Sequence, residues 1–338
     1  MSDCKSIFRK SALALVTAVG LAGASNAQAK DWAALVEDAR AEGEVTLYSA
    51  QSQDLLNELG RKFEAEYGIK VTVVRAVESD LWPKVDVEVT SGRGIADIMV
   101  GAGVTLLKER GEKGYFVAPQ GPAFSDPDFN RTRFLNATNY FQTGATVLTF
   151  NWNTGLLPEG LKDYKDILRP DLKGMIGIPQ AKTLGQVDFY RYLTDRYGED
   201  FLVELAKLEP QLYAGALPLA QAVVSGEIAV ALHALPLEGE KAKGAPVDWA
   251  LADTPWGTPF FGGILTSAPH PNAAQLLADF MVTRAGQETL GKLAASVMPG
   301  VEGTLMSGDQ LRQQDPAVYT ADFVKDYVEK WNALFLPK

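Results

Sequence analysis

The sequence predicts an α/β fold of two lobes, each built on a largely parallel sheet. Three observations lead there. Short apolar runs alternate with helical stripes in the order strand, helix, strand, helix, strand, a pattern that calls for parallel strands with right-handed crossovers. The same alternation returns in the middle of the chain, after a stretch rich in Pro, Gly, Asp and Asn. A chain of 338 residues also exceeds what one hydrophobic core usually serves. No internal repeat or low-complexity linker divides it, which favours a polypeptide that passes between the lobes more than once.

The elements follow in order. Residues 31–42 read as a short helix with Gly43 behind it, and 44–49 as a strand. Leu55, Leu59, Phe63 and Tyr67 recur every four residues and form one apolar stripe, so a helix comes next. Gly68 suits the left-handed cap that ends it. Residues 71–75 are the second strand. Residues 78–92 are helical in composition, with Pro83 early enough to be tolerated. Residues 96–101 are the third strand. Gly101-Ala102-Gly103 has no Lys-Ser/Thr partner for a phosphate loop and marks a close backbone approach. Strands are expected again at 146–151, 175–178 and 227–232, and helices at 184–197, 201–207 and 218–225. A strand at 260–267, a helix over 272–290 and an amphipathic tail helix over 321–335 complete the reading. Phe323, Tyr327 and Trp331 share one face of that tail.

The N-terminus reads as an export signal. Lys5, Arg9 and Lys10 precede an apolar run over 11–24, and Ala27-Gln28-Ala29 is a small-x-small cleavage signature. Cleavage is expected between Ala29 and Lys30. The run is shorter than the about 20 residues that span a bilayer. Cys4 is the one cysteine and does not sit at the cleavage point, so no lipid anchor is expected. Beyond it, disulfides, thiolate metal sites and cysteine nucleophiles are excluded. The net charge of −10 argues against nucleic acid and anionic membranes as partners. The two Asn-x-Thr triplets at Asn130 and Asn136 are taken as chance, given a bacterial-style signal. A secreted hydrolase is the weakest alternative, because the two histidines lie far apart and neither Gly-x-Ser-x-Gly nor His-Glu-x-x-His occurs.

A family resemblance enters at Gly43–Gln51 (GEVTLYSAQ) followed by Phe63–Val71 (FEAEYGIKV). Together with Ala96–Val100 (ADIMV), Asp166–Pro179 and Gln221–Leu232, these residues resemble the ferric-iron-binding-like extracellular solute-binding proteins of ABC importers. The similarity runs over nearly all of the chain beyond the signal. It implies a type 2 periplasmic-binding fold, in which two α/β lobes are joined by two crossover strands and a solute is trapped between them. The crossovers are expected near 144–151 and 258–265. One lobe then comprises 30–143 plus 266–306, and the other 144–265 plus 307–338, after a signal peptide of 1–29. The implied protein is periplasmic and acts as a monomer. It has no cofactor and serves a membrane permease and an ATPase by delivering a small-molecule solute.

The departures from that family bear on the ligand. Iron-binding members use a His after the first strand, a Glu after the third and two adjacent Tyr in the second lobe. The corresponding positions here are Ser52, Ala102, Pro236 and Leu237. None supplies the hard anionic oxygen that ferric iron prefers, so no metal is expected, and ferric iron on unusual ligands is kept as the alternative. A small organic anion is the expected solute. Arg75 ends the second strand and can grip a carboxylate or phosphate, or else pair with Glu78 at the surface. Ser49, Gln51 and Ser52 follow the first strand as ligand contacts or helix caps. Thr183 and Gln186 fit a capping box at a helix start that can also face an anion. His233 ends the strand at 227–232, and Tyr213, Trp256, Phe260 and Phe261 lie toward the cleft or hinge. His270, between two prolines, is read as inert.

Overall fold

The structure is a computed structural model and describes residues 32–312, 315 and 317–336. The expected signal peptide, its cleavage point and Asp31 lie outside the described residues. After a helix α1 over 32–42 come β1 (Glu44–Ser49), α2 (Gln53–Tyr67), β2 (Lys70–Arg75), α3 (Glu78–Ser91), β3 (Ile98–Gly101), α4 (Val104–Glu112), β4 (Phe116–Val117) and α5 (Arg131–Phe134). The long β5 (Phe141–Asn153) leads into β6 (Ile176–Pro179), α6 (Leu184–Tyr197), α7 (Asp200–Lys207), β7 (Gln211–Tyr213), α8 (Ala216–Ser225), β8 (Val230–Ala234), α9 (Glu238–Ala242) and β9 (Val247–Ala250). Then β10 (Trp256–Leu265) is followed by α10 (Pro271–Met281), α11 (Arg284–Leu290), β11 (Ala295–Ser296), β12 (Met306–Ser307) and α12 (Ala321–Phe335).

The strands form two groups with one layout. The first runs β2-β1-β3-β10-β5 and the second β7-β6-β8-β5-β9. β1 in the first group and β6 in the second each lie between two parallel neighbours. An antiparallel strand then enters from the other group: β10 against β3, and β5 against β8. The two crossing strands pair with each other from Trp256 opposite Leu148 to Gly262 opposite Phe141. This is the mixed α/β periplasmic-binding-protein fold that the resemblance implies.

Each group has its own core. In the first, Leu56, Leu59 and Phe63 of α2 pack with Leu276, Leu277 and Phe280 of α10 on one sheet face. Leu81, Trp82 and Val85 of α3 pack with Val104 and Leu107 of α4 in a separate cluster. In the second, Ile176, Ile178, Phe189 and Leu232 join Tyr319 and Trp331 from the tail. Burying each such side chain contributes about 1.5–3 kcal/mol. Gly68 ends α2 with φ 75°, the left-handed cap that its sequence position suggests.

Some expectations change. The helix expected over 272–290 is two helices. The Thr283 hydroxyl donates to the Phe280 carbonyl at 2.8 Å and accepts from the Gly286 amide at 3.1 Å, which starts α11 afresh. Gly286 lies so near the turn before it that a Cβ there would stand 2.1 Å from the Phe280 oxygen. α10 buries its apolar face and α11 buries Leu290, so hydrophobic spacing alone does not register the break. β5 also begins five residues earlier than the strand expected at 146–151, because Phe141 and Gln142 already pair with β10. His270 is engaged: its amide donates to Asp97 Oδ1 at 2.7 Å and its Nδ1 lies 3.1 Å from Asp97 Oδ2. That carboxylate is fully buried and also accepts from the Thr46 amide, so it ties the start of α10 to β1 and β3.

Candidate functional site

In open parallel sheets the crevice lies beyond the carboxyl ends of the strands. The register places those ends in one row: Arg75 opposite Ser49, Ser49 opposite Val100, Gly101 opposite Phe261 and Phe261 opposite Gln142. In the second lobe Pro179 stands opposite Tyr213, and β8 ends at His233 and Ala234. Helices α2, α3, α4, α6 and α8 each follow a strand, so their N-termini, the positive ends of their dipoles, begin at these same edges.

The first edge leaves charge and hydrogen-bonding capacity free. Ser49 is fully buried and its Oγ accepts from the Gln51 amide at 3.1 Å, so it shapes the turn after β1. The Gln51 carbonyl accepts from Arg75 Nε at 3.4 Å. Among the described residues this is the only hydrogen bond of the exposed Arg75 guanidinium, and no carboxylate pairs with it. The surface pair with Glu78 does not form. Ser52 occupies the N-cap of α2 but makes no side-chain capping bond, which leaves its exposed hydroxyl available.

The second edge spends its polar groups on itself. Thr183 and Gln186 form the full capping box: Thr183 Oγ1 accepts from the Gln186 amide at 3.3 Å, and Gln186 Oε1 accepts from the Lys182 and Thr183 amides at 2.9 Å each. Gln186 Nε2 donates to the Ala214 carbonyl at 3.2 Å, which joins the start of α6 to the loop after β7. The Tyr213 hydroxyl donates to Glu227 at 2.7 Å; burial, and then that carboxylate, hold the phenol well above its ordinary range.

His233 is unlike the rest. Its φ is 63°, in the left-handed region, and its ring sits between Phe189 and Trp256 at centroid distances of 4.8 and 5.3 Å. The residue is 9% exposed, and neither ring nitrogen has a hydrogen-bond partner. Burial lowers its pKa to about 4, so the imidazole is neutral near pH 7. The two residues after it are bonded to the crossing strand. The Ala234 carbonyl accepts from Thr149 Oγ1 at 3.0 Å, and the Leu235 carbonyl from Asn151 Nδ2 at 2.8 Å.

Ser49, Gln51, Ser52 and Arg75 therefore share one edge, while Thr183, Gln186 and Tyr213 belong to the other. None of them lines the cavity of about 280 Å³ beside the crossing strands, whose walls include Arg133, Tyr140, Gln142, Phe261, Leu311 and Arg312. Its two cations are already engaged. Arg133 donates to the Gly308 and Leu311 carbonyls, and Arg312 pairs with Asp195 at 2.9 Å. The sequence reading overlooked Arg133, and it overlooked Glu78 as anything but a partner for Arg75. The one trace of Glu78's placement was the Gly101–Gly103 stretch, where the close approach is made by its carboxylate rather than by backbone. Among the described residues no group of three or more His, Cys, Asp or Glu side chains is placed to hold a metal ion.

A two-lobed periplasmic-binding fold with open strand ends defines a class of proteins that capture solutes. This chain belongs to the bacterial extracellular solute-binding proteins, whose family model matches residues 45–292; it is a binding protein and not an enzyme. Iron uptake protein A1 of Synechocystis sp. is 26% identical over 167 residues, which cover 48% of this chain and 45% of that one. The chain thus spans less than half the length of the curated relative it matches. Iron-bound HitA from Pseudomonas aeruginosa has a similar structure, with a TM-score of 0.66 at 17% identity over 87% of this chain and 99% of that one. AfuA from Actinobacillus pleuropneumoniae, with exogenous fructose-6-phosphate bound, gives 0.63 at 20% identity over 87% and 98%.

Proposed function

We propose that the protein is the periplasmic capture component of an ABC importer. It takes a small organic anion between its lobes, closes about the crossing strands, and delivers the solute to a membrane permease driven by an ATPase. Arg75 carries this reading: a guanidinium without a carboxylate partner, at the end of β2 and beside a helix start whose N-cap serine makes no capping bond. A guanidinium stays charged at any relevant pH and grips two oxygens at once. The relatives support the wider frame, since solved structures of this fold hold iron or a sugar phosphate.

In this reading the protein is exported by a cleaved signal of residues 1–29 and works as a monomer. Its lobes are 30–143 with 266–306 and 144–265 with 307–338. Ferric iron is not its cargo, because Pro236 and Leu237 stand where the iron binders carry a tyrosine pair. Mass spectrometry of the small molecule released from freshly purified, denatured protein tests the solute class, and a neutral solute would overturn it. Protein mixed with ferric iron should stay colourless; a stoichiometric charge-transfer band would restore iron. N-terminal analysis of periplasmic protein should begin at Lys30.

A further inference from the structure

The cavity beside the crossing strands carries positive charge of its own. It measures about 280 Å³, and its only charged lining residues among those described are Arg133 and Arg312. No described carboxylate lines it, in a chain whose net charge is −10. Arg312 is paired with Asp195 at 2.9 Å. Arg133 is hydrogen-bonded without being neutralised. Its Nε and Nη2 donate to the Gly308 carbonyl at 3.3 and 3.0 Å, and Nη2 also donates to the Leu311 carbonyl. Its Nη1 makes no hydrogen bond among the described residues. Asp309, the one carboxylate beside it there, stands 3.6 Å from Nε, is exposed and also accepts from Asn130. Carbonyls satisfy donors but do not cancel a full charge, and a guanidinium cannot shed its proton. Two neutral lining residues are also unspent. Gln142 is 7% exposed; its Nε2 reaches the Gly144 carbonyl at 3.4 Å, and its Oε1 has no partner among the described residues. Tyr140 is 3% exposed, its ring meets that of Phe261 edge to face at 5.6 Å, and its hydroxyl makes no hydrogen bond among the described residues. Buried polar atoms are normally bonded.

This place is not the Arg75 edge. Arg75 on β2 and Phe261 on β10 are three strands apart in the sheet order, which is about 14 Å at about 4.8 Å per strand. Gln142 on β5 is one strand further. A small solute held at Arg75 therefore does not reach the cavity. We infer that the cavity is a second small-molecule site, which takes a compact hydroxycarboxylate. The carboxylate meets the free Nη1 of Arg133 and the hydroxyl meets Gln142 or Tyr140, while Pro259, Phe261 and Leu311 enclose the apolar body. A pocket with apolar walls and a few polar groups is the form that small-ligand sites take, and a volume just under the common range of about 300–1,000 Å³ calls for a compact ligand. The walls include β5 and β10, so an occupant touches both crossing strands. The inference stands whether or not Arg75 holds the imported solute.

Calorimetry on the purified protein tests this with lactate and 4-hydroxybenzoate, and with the amides of both as uncharged controls. Titrations are run on wild type and on Arg75→Ala, which removes the charge at the first-lobe edge. At least one carboxylate should bind Arg75→Ala saturably, and its amide should bind at least about ten-fold more weakly. Thr132→Trp puts a bulky ring at an exposed lining position and, in the same background, should weaken that binding at least about ten-fold. Gln142→Leu removes the unpartnered oxygen at similar size and should weaken it at least about three-fold. Arg133→Ala is not used, because that side chain also holds Gly308 and Leu311. No saturable binding to Arg75→Ala, equal binding of the amide, or full affinity in Thr132→Trp overturns the inference. If Thr132→Trp does not fold, Gln142→Leu decides by the same criterion. Binding seen in wild type and lost in Arg75→Ala also overturns it, and places the probe at the first-lobe edge that the proposed function names.

Discussion

In the first lobe the strand ends leave Arg75 without a carboxylate and Ser52 without a capping bond, whereas in the second lobe Thr183, Gln186 and Tyr213 turn their polar atoms back on their own backbone and on Glu227. The strand order is the same in both. The difference therefore lies in which edge groups remain unspent, and the scaffold does not dictate it. In the proposed function, one lobe offers a charge to a solute and the other a finished surface to close over it.

The comparison can be broken first at the cores, where the lobes should behave alike. Asp188 accepts from Trp256 Nε1 at 2.9 Å and from the Tyr319 hydroxyl, deep in the second lobe. Asp97 holds the first lobe together in a similar way. Alanine at either position strands buried donors and should cost on the order of 3–5 kcal/mol in urea unfolding. A loss below about 1 kcal/mol at one site and not the other would show unequal scaffolds.

The edges should differ next. Arg75→Ala should weaken solute binding by about 2–5 kcal/mol in calorimetry, with stability moving by about 1 kcal/mol or less. Arg75→Lys keeps the charge but loses the fork and should fall between. Unchanged affinity in the alanine variant would dissolve the contrast between the two edges.

Acid should then push the lobes in opposite directions. Asp279, buried in the first lobe, has its pKa raised to about 7 by desolvation, against the Ala123 and Phe124 amides that it accepts from. Its folded form favours the proton, so its contribution is full below about pH 4 and is lost as pH rises through 7. His233 has its pKa lowered to about 4 by burial. Its contribution is present above about pH 6.5 and is lost as pH falls toward 4. Asp279→Asn should remove the first slope and His233→Asn the second, each worth up to about 3 kcal/mol between the extremes. Asparagine tolerates the left-handed backbone at 233. Denaturant midpoints from pH 4.5 to 7.5 check both, and a slope that survives its own substitution refutes that assignment.

The smallest effect sharpens the contrast. Thr183→Ala removes the cap of α6 and should lower stability by about 1 kcal/mol. Solute affinity should hold, because that hydroxyl already serves the Gln186 amide. A clear loss of affinity would make the second edge a ligand surface after all.

Much of this was legible from local pattern. The four-residue spacing of Leu55, Leu59, Phe63 and Tyr67 marks α2, and helix α6 begins and ends where its pattern does, at Leu184 and Tyr197. Gly68 takes its left-handed cap, and Thr183 and Gln186 form their box, because both motifs lie within one turn of backbone. The sequence by itself determined the alternation of strands and helices, the local caps and the family. Tertiary structure alone decided that Glu78 reaches Ala102, 24 residues on, instead of pairing with Arg75. It also decided that Arg133 holds Gly308, that Asp188 joins Trp256 to Tyr319, and that His233 lies between two aromatic rings without a partner. The reason is physical. Periodicity and capping depend on neighbours within a turn or two, whereas a side chain's partner depends on which strand ends the sheet order brings together, and several carboxylates and cations compete for each place.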